Sequence, residues 1–280
     1  MRYFGYGSNL DRVDLRRWCA DKRMPLGRYE PVGVAFLPDH ALAFHYFSRP
    51  RGGGALDVTP TFGRAVPGML FEVDDDARAV LDRKEGLGVR YERREVAVLR
   101  ADGEVERAFT YGVMEPFREG RFIAPTNDYA AIVRRGLADF GLPSAPLEAA
   151  AAGEVAGFPP RVFVYGTLKR GHCRQHLLGP TDHEAATITG ELVDLGAYPG
   201  LRSGDGVVHG ELHRPAEMSA LLARLDPVED FEGWDQVERS MYHRAIVRAE
   251  MASGVELAWT YVYRGREARP RIVDGTWRGE

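Results

Sequence analysis

Along this chain short apolar runs alternate with turn residues, and one order of runs is written twice. The first, Tyr3-Phe4-Gly5-Tyr6, stops at Gly7-Ser8 and reads as a buried strand entering a tight loop. Residues 11–18 mix charges with Val13, Leu15 and Trp18, a short helix that Asn9 or Asp11 could cap. Strands are predicted at 32–37 and 41–47 around a Pro38-Asp39 turn, and at 55–59 and 68–73 after an Arg51-Gly52-Gly53-Gly54 loop. Asp74-Asp75-Asp76 opens a helix with Ala77, Val80 and Leu81 on its apolar face, and Gly86 ends it. Two strands, 94–99 and 104–113, precede a helix capped by Asn127. It carries Tyr129, Ile132, Val133, Leu137 and Phe140 and stops at Gly141 and Pro143.

Residues 143–160 are dominated by Pro, Ala and Gly and show no amphipathic stripe. They predict a linker, giving domains at 1–143 and 161–280 joined by 144–160. The plan then recurs. A strand ends at Tyr165-Gly166-Thr167, and strands follow at 187–195 and 207–213. A helix starting at Pro215-Ala216-Glu217 carries Met218, Leu221, Leu222 and Leu225, and two more strands span 242–249 and 257–263. The halves read as diverged duplicates. The first has the longer spacing from glycine loop to helix end, which places an insertion in the 47–63 loop region. The second lacks a helix equivalent to that at Asn127.

Composition narrows the class. With 280 residues, 44% hydrophobic and 28% charged, the chain has the balance of a soluble globular protein of one large or two medium domains. A formal charge of -4 offers no basic field for nucleic acid or an anionic membrane. No apolar run approaches the ~20 residues that span a bilayer. The chain opens into a strand without a signal-peptide core, so a cytoplasmic location is expected. Two cysteines, Cys19 and Cys173, cannot form a disulfide framework. His172-Cys173 could supply a nucleophile, but the first half has no counterpart. The pairs His40/His45 and His172/His176 lack further ligands, so no metal or other cofactor is expected.

The candidate chemistry lies in what recurs. Tyr-Gly-(Ser/Thr) occurs at Tyr6-Gly7-Ser8 and Tyr165-Gly166-Thr167, a loop whose N–H groups could cradle a carboxylate. Leu-Asp-x-x-Glu ends a helix in each half, at Glu85 and at Glu229. A carboxylate there faces the negative end of the helix dipole, which should raise its pKa toward that of a general acid or base. A single such Glu would read as a solvated last-turn residue. Its recurrence downstream of the same loop favours the functional reading.

Tyr6-Gly7-Ser8-Asn9-Leu10 with Leu81-Asp82-Arg83-Lys84-Glu85-Gly86 resembles γ-glutamylcyclotransferase. Tyr165-Gly166-Thr167-Leu168-Lys169-Arg170-Gly171, with Leu225-Asp226-Pro227-Val228-Glu229 and Met241-Tyr242-His243-Arg244, resembles the γ-glutamylamine cyclotransferase (avirulence-induced-gene-like) branch of that superfamily. The resemblance implies an α+β fold of two tandem small mixed β-barrel domains with flanking helices. It also implies release of an amine or amino acid from a γ-glutamyl group as 5-oxoproline forms. By the same resemblance Glu85 and Glu229 are catalytic, and Tyr6, Gly7, Ser8, Asn9, Leu10, Tyr165, Gly166, Thr167 and Leu168 bind substrate, together with Tyr129. In the second half Asp230 replaces Gly86 and is expected to perturb Glu229. The Arg51–Gly54 loop and the Trp234 segment are expected to shape the pocket for the leaving amine. The expected partner is thus a small γ-glutamyl compound. A hydrolase or acyl-transfer enzyme on the same scaffold, and a non-catalytic binding pair, are the competing readings.

Overall fold

The computed structural model describes residues 1–279, which divide into two compact units. One comprises residues 1–100 and 105–158, the other 101–104 and 159 onward. Each is α+β and built round a closed, mixed β-barrel.

In the first unit β1 (Arg2–Gly5) leads through a 3-10 turn (Ser8–Leu10) into α1 (Arg12–Lys22). The side chain of Asp11 caps α1, accepting from the N–H groups of Val13 and Asp14. Next come β2 (Tyr29–Ser48), β3 (Gly53–Val73), α2 (Asp75–Glu85), β4 (Tyr91–Arg100) and β5 (Val105–Val113). The strand order β1-β3-β2-β4-β5 closes through a parallel seam between β1 and β5, Tyr3 opposite Phe109. Apolar side chains including Phe4, Phe44, Phe71, Val73 and Leu81 fill the interior.

The hairpin departs from expectation. Instead of four strands around a turn and a loop, β2 and β3 run unbroken and turn only at 49–52. Pro38-Asp39 is a bulge, with Asp39 at φ 54 and its carboxylate accepting from Gly63 N at 2.8 Å. Proline lacks an N–H to donate, and Asp tolerates the left-handed region, so these residues serve a bulge as readily as a turn. The extra spacing in the first half therefore lies largely in longer hairpin arms. Gly68 is required within β3, because a Cβ there would come 2.5 Å from Gly5 O on β1.

α3 (Asn127–Asp139) is capped by Thr126, whose hydroxyl accepts from Tyr129 N, rather than by Asn127. Residues 145–151, within the expected linker, form α4, which buries Pro146, Leu147 and Ala150. The alanines that hid an amphipathic stripe are small enough for the helix to pack closely on β2.

The second unit contains β6 (Arg161–Val164), β7 (Asp182–Asp194), β8 (Pro199–Arg214), α5 (Met218–Leu225), β9 (Tyr242–Met251), β10 (Gly254–Tyr263) and a short β11 (Arg271–Ile272). Their order is β11-β7-β8-β6-β10-β9, and a β7–β9 pairing at Thr187 and Glu250 closes the ring. Here too the seam next to the opening strand is parallel, β6 with β10. Among the described residues no helix follows β10, and no helix anywhere is long and apolar enough to cross a membrane.

Candidate active site

The two units share a scaffold of hydrogen bonds around the loop that follows the opening strand. Tyr6 Oη donates to Tyr111 O at 2.8 Å, and Tyr165 Oη to Tyr261 O at 2.8 Å. Tyr111 Oη donates to Asp82 Oδ1 at 2.7 Å, and Tyr261 Oη to Asp226 Oδ1 at 2.6 Å. Thr110 and Thr260 donate to Phe4 O and Phe163 O. Arg93 and Arg244 lie 3.4 Å and 3.3 Å from the same two aspartates. The aspartate of Leu-Asp-x-x-Glu therefore ties the end of the helix to a strand tyrosine and arginine. That tether brings the following glutamate to the glycine loop.

In the first unit Glu85 lines a small cavity with Tyr3, Tyr6, Gly7, Ser8, Asn9, Leu56, Tyr91, Tyr111 and Tyr129. Asn9 Nδ2 donates to Glu85 Oε1 at 2.8 Å and to Tyr3 Oη at 3.0 Å. Lys84 Nζ donates to Asn9 Oδ1 at 2.7 Å and lies 3.6 Å from Asp14 Oδ2. Burial lowers the pKa of Lys84, against the pull of Glu85 and Asp14. The amide thus relays between an ammonium and the glutamate. Tyr129 accepts from Leu56 N at 3.3 Å, with the Arg51 guanidinium 5.0 Å from its ring centre. Burial pushes its phenol up to about 12, so near neutral pH it remains a neutral hydroxyl.

Of the predicted binding residues in this unit, Leu10 lies elsewhere. It is fully buried in the core and does not line the cavity. The 3-10 turn swings it inward against α3, where Gly136 makes room: a Cβ there would come 2.5 Å from Leu10 Cβ.

In the second unit Glu229 lines a larger cleft, about 240 Å³, with Tyr165, Gly166, Thr167, Leu168, Arg174, Tyr198, Pro199, Val228, Asp230, Met241, Tyr242 and Tyr261. Glu229 sits in the turn after α5, not at its last residue. Its pKa is raised to about 7, first by burial and also by Asp226, against the opposing charge of Arg174. Desolvation, rather than the helix dipole, is thus the main cause. Asp226, four residues before Asp230, is the acidic neighbour that counts. Gly166 is needed for space, because a Cβ would meet Pro199 Cγ at 2.8 Å. Leu201 N donates to Tyr165 Oη at 3.4 Å, the place that Tyr129 fills for Leu56 in the first unit.

The two sites differ where their sequences do. Asn9 and Lys84 of the first have Leu168 and Val228 opposite them in the second motif pair. Arg51 lies over the ring of Tyr129 but does not itself line the first cavity, and Trp234 packs near the Arg244 guanidinium and does not line the second cleft. Sequence reasoning missed Tyr91 and Tyr242, Tyr111 and Tyr261, and Arg174. The first two pairs had a signal, since Tyr-x-Arg recurs at 91–93 and 242–244 and Thr-Tyr at 110–111 and 260–261. Arg174 had none. Among the described residues no cluster of His, Cys, Asp and Glu could hold a metal ion.

A family model described as γ-glutamyl cyclotransferase, AIG2-like matches residues 3–131 and again 162–279. The γ-L-glutamyl-butirosin B γ-glutamyl cyclotransferase of Niallia circulans is 35% identical over 109 residues, covering 38% of this chain and 68% of that protein. The γ-glutamylcyclotransferase family protein YtfP of Escherichia coli K12 is 33% identical over 124 residues, covering 42% of this chain and 95% of its own. A solved structure titled γ-glutamyl cyclotransferase superposes with a TM-score of 0.45 at 25% identity, covering 54% of this chain and 85% of that one.

Proposed function

The chain belongs to the γ-glutamyl cyclotransferase, AIG2-like family in both of its halves and is a cyclotransferase enzyme, and from that premise we propose that each unit closes a γ-glutamyl group into 5-oxoproline with its own glutamate as acid and base. The observation that supports this is a repeated juxtaposition. In each unit the Tyr-Gly-(Ser/Thr) loop and the glutamate of Leu-Asp-x-x-Glu line one cavity.

In the proposed reaction the loop at Gly166–Leu168, or at Gly7–Asn9, holds the glutamyl part by backbone and side-chain donors. Glu229 or Glu85 accepts a proton from the α-ammonium. The freed amine attacks its own γ-carbonyl carbon, so a C–N bond forms and closes a five-membered ring. Loop donors meet the developing oxyanion. The γ C–N bond then breaks as the glutamic acid gives its proton to the departing nitrogen. The carboxylate so restored takes the second proton from the ring nitrogen and passes it to the released amine, which leaves as an ammonium, and the glutamate ends ionised as it began.

Folding the glutamyl chain against the loop contributes by orientation, since intramolecular reactions reach effective molarities of ~10⁵–10⁸ M. Positioned proton transfer adds ~10²–10⁴-fold. A carboxyl at about 7 is well matched to that task near neutral pH.

The test is incubation with γ-glutamyl amino acids and γ-glutamyl amines, followed by mass spectrometry for 5-oxoproline. Glu85→Gln and Glu229→Gln, singly and together, assign turnover to the units. Free glutamate in place of 5-oxoproline would make the enzyme a hydrolase. Full turnover by the double variant would remove both glutamates from the mechanism.

A further inference from the structure

The second cleft is lined by one cation, Arg174, and that guanidinium is unspent. Among the described residues its side chain makes no hydrogen bond or ion pair, and the ring centre of Tyr198 lies 5.9 Å from its carbon. The first cavity is different. There Lys84 is committed to Asn9 and Asp14, and Arg51 lies 3.5 Å from Asp14 Oδ2.

Arg174 is also held in place. Its N–H donates to Thr167 O at 3.0 Å, which ties its backbone to the glycine loop. Its charge reaches Glu229 across the cleft. Arg174 is half-buried, so it has already shed part of its hydration. A half-buried guanidinium with no partner regains most from a carboxylate, which it can meet with two parallel hydrogen bonds. Asp230 shares the cleft wall but is exposed and forms no ion pair with Arg174 among the described residues.

Resting on the reading above, in which the loop and Glu229 hold the glutamyl part, we propose that Arg174 is the specificity-determining residue of the second cleft and receives a carboxylate on the leaving amine. The substrates of this unit are then γ-glutamyl amino acids, or γ-glutamyl amines that carry another anionic group. Neutral amines are poorer substrates, and cationic ones poorer still, since they meet Arg174 without compensation.

The experiment uses the full chain carrying Glu85→Gln, so that turnover reports the second cleft. Two probes of one shape, γ-glutamyl-alanine and γ-glutamyl-alaninamide, differ only in a carboxylate against a neutral amide. The readout is the ratio of their kcat/KM values, compared between Arg174 and its variants. Any general effect on Glu229 or on folding acts on both probes and cancels. A charge-assisted bidentate contact predicts that Arg174→Ala lowers this ratio ~10- to 100-fold, mainly through KM for the alanine probe. Arg174→Lys should recover part of the ratio, because it restores the charge without the fork. An unchanged ratio in Arg174→Ala overturns the proposal. So does an equal loss for both probes, which would place Arg174 on the glutamyl carboxylate instead. Failure of the underlying reading looks different: the Glu85→Gln protein would form no 5-oxoproline from either probe.

Discussion

Glu229→Gln tests the energetic basis of the second site through stability as well as activity. The folded protein raises this carboxyl from 4.5 to about 7, chiefly by burial. A raised carboxylate pKa means that the folded state favours the protonated form. The associated stability is therefore complete below 4.5 and is lost as pH rises through about 7. At ~1.36 kcal/mol per pKa unit, the ionised group costs the folded state roughly 3 kcal/mol. Glu229 is only half-buried, and solvent screening reduces that to about 2 kcal/mol. Glutamine keeps the shape and cannot ionise.

The difference in unfolding free energy between Glu229→Gln and wild type should thus be near zero at about pH 4. It should grow to about 2 kcal/mol by about pH 8.5, with the variant the more stable. Urea titration followed by tryptophan fluorescence suits the measurement, because three of the four tryptophans, Trp234, Trp259 and Trp277, lie in the second half. With a slope of ~1–3 kcal/mol per molar urea, the midpoint separation would reach about 1 M. The same substitution should lower 5-oxoproline formation by the second unit ~10²-fold or more. Parallel stability–pH curves for the two proteins would refute the argument, because they would show Glu229 to be well solvated and without reason to titrate near neutrality.

Other outcomes follow from the same geometry. Arg174→Ala removes the charge that holds Glu229 down, so the acid limb of kcat/KM for the second unit should move above about 7. Tyr261→Phe and Tyr111→Phe each delete a hydrogen bond to the aspartate of Leu-Asp-x-x-Glu. Each should lower unfolding free energy by about 1–2 kcal/mol and turnover of its own unit more than that of the other, as read in the single-glutamate variants. Gly68→Ala drives a Cβ into Gly5 O at the barrel seam and should destabilise the first unit by about 1–3 kcal/mol, measured by thermal unfolding. In a Glu229→Gln background, Asn9→Leu strips Glu85 of its amide donor. Since a hydrogen bond to a charged group is worth ~1.5–3 kcal/mol, 5-oxoproline formation by the first unit should change at least tenfold.

Much of this was visible in the residues because the chain states it twice. The pairing of glycine loop and glutamate was legible, and so was α2, whose acidic start and Gly86 stop are local signals. Pro38-Asp39 misled, because a bulge and a turn ask for the same residue types and only pairing partners tell them apart. Helix α4 was hidden by alanines that give no contrast between faces. Leu10 looked like part of a binding loop, but a 3-10 turn sends it to the core. The raised pKa of Glu229 was anticipated from a helix end that it does not occupy; burial, a property of the assembled barrel, does the raising. The committed Lys84 and the uncommitted Arg174 were equally silent, since what a cation meets is decided by distant strands and turns.

The unequal hairpins have a further consequence. Two barrels with one strand order, on one chain, invite strands to pair with their counterparts in the wrong repeat while the protein folds. The first hairpin uses arms of 20 and 21 residues and the second arms of 13 and 16. An exchanged arm would leave several residues unmatched at one end, and a slip of a single place would turn its apolar side to water. Unequal arms thus disfavour pairing across the repeats, because the exchanged strand fits neither the length nor the register of its new partner.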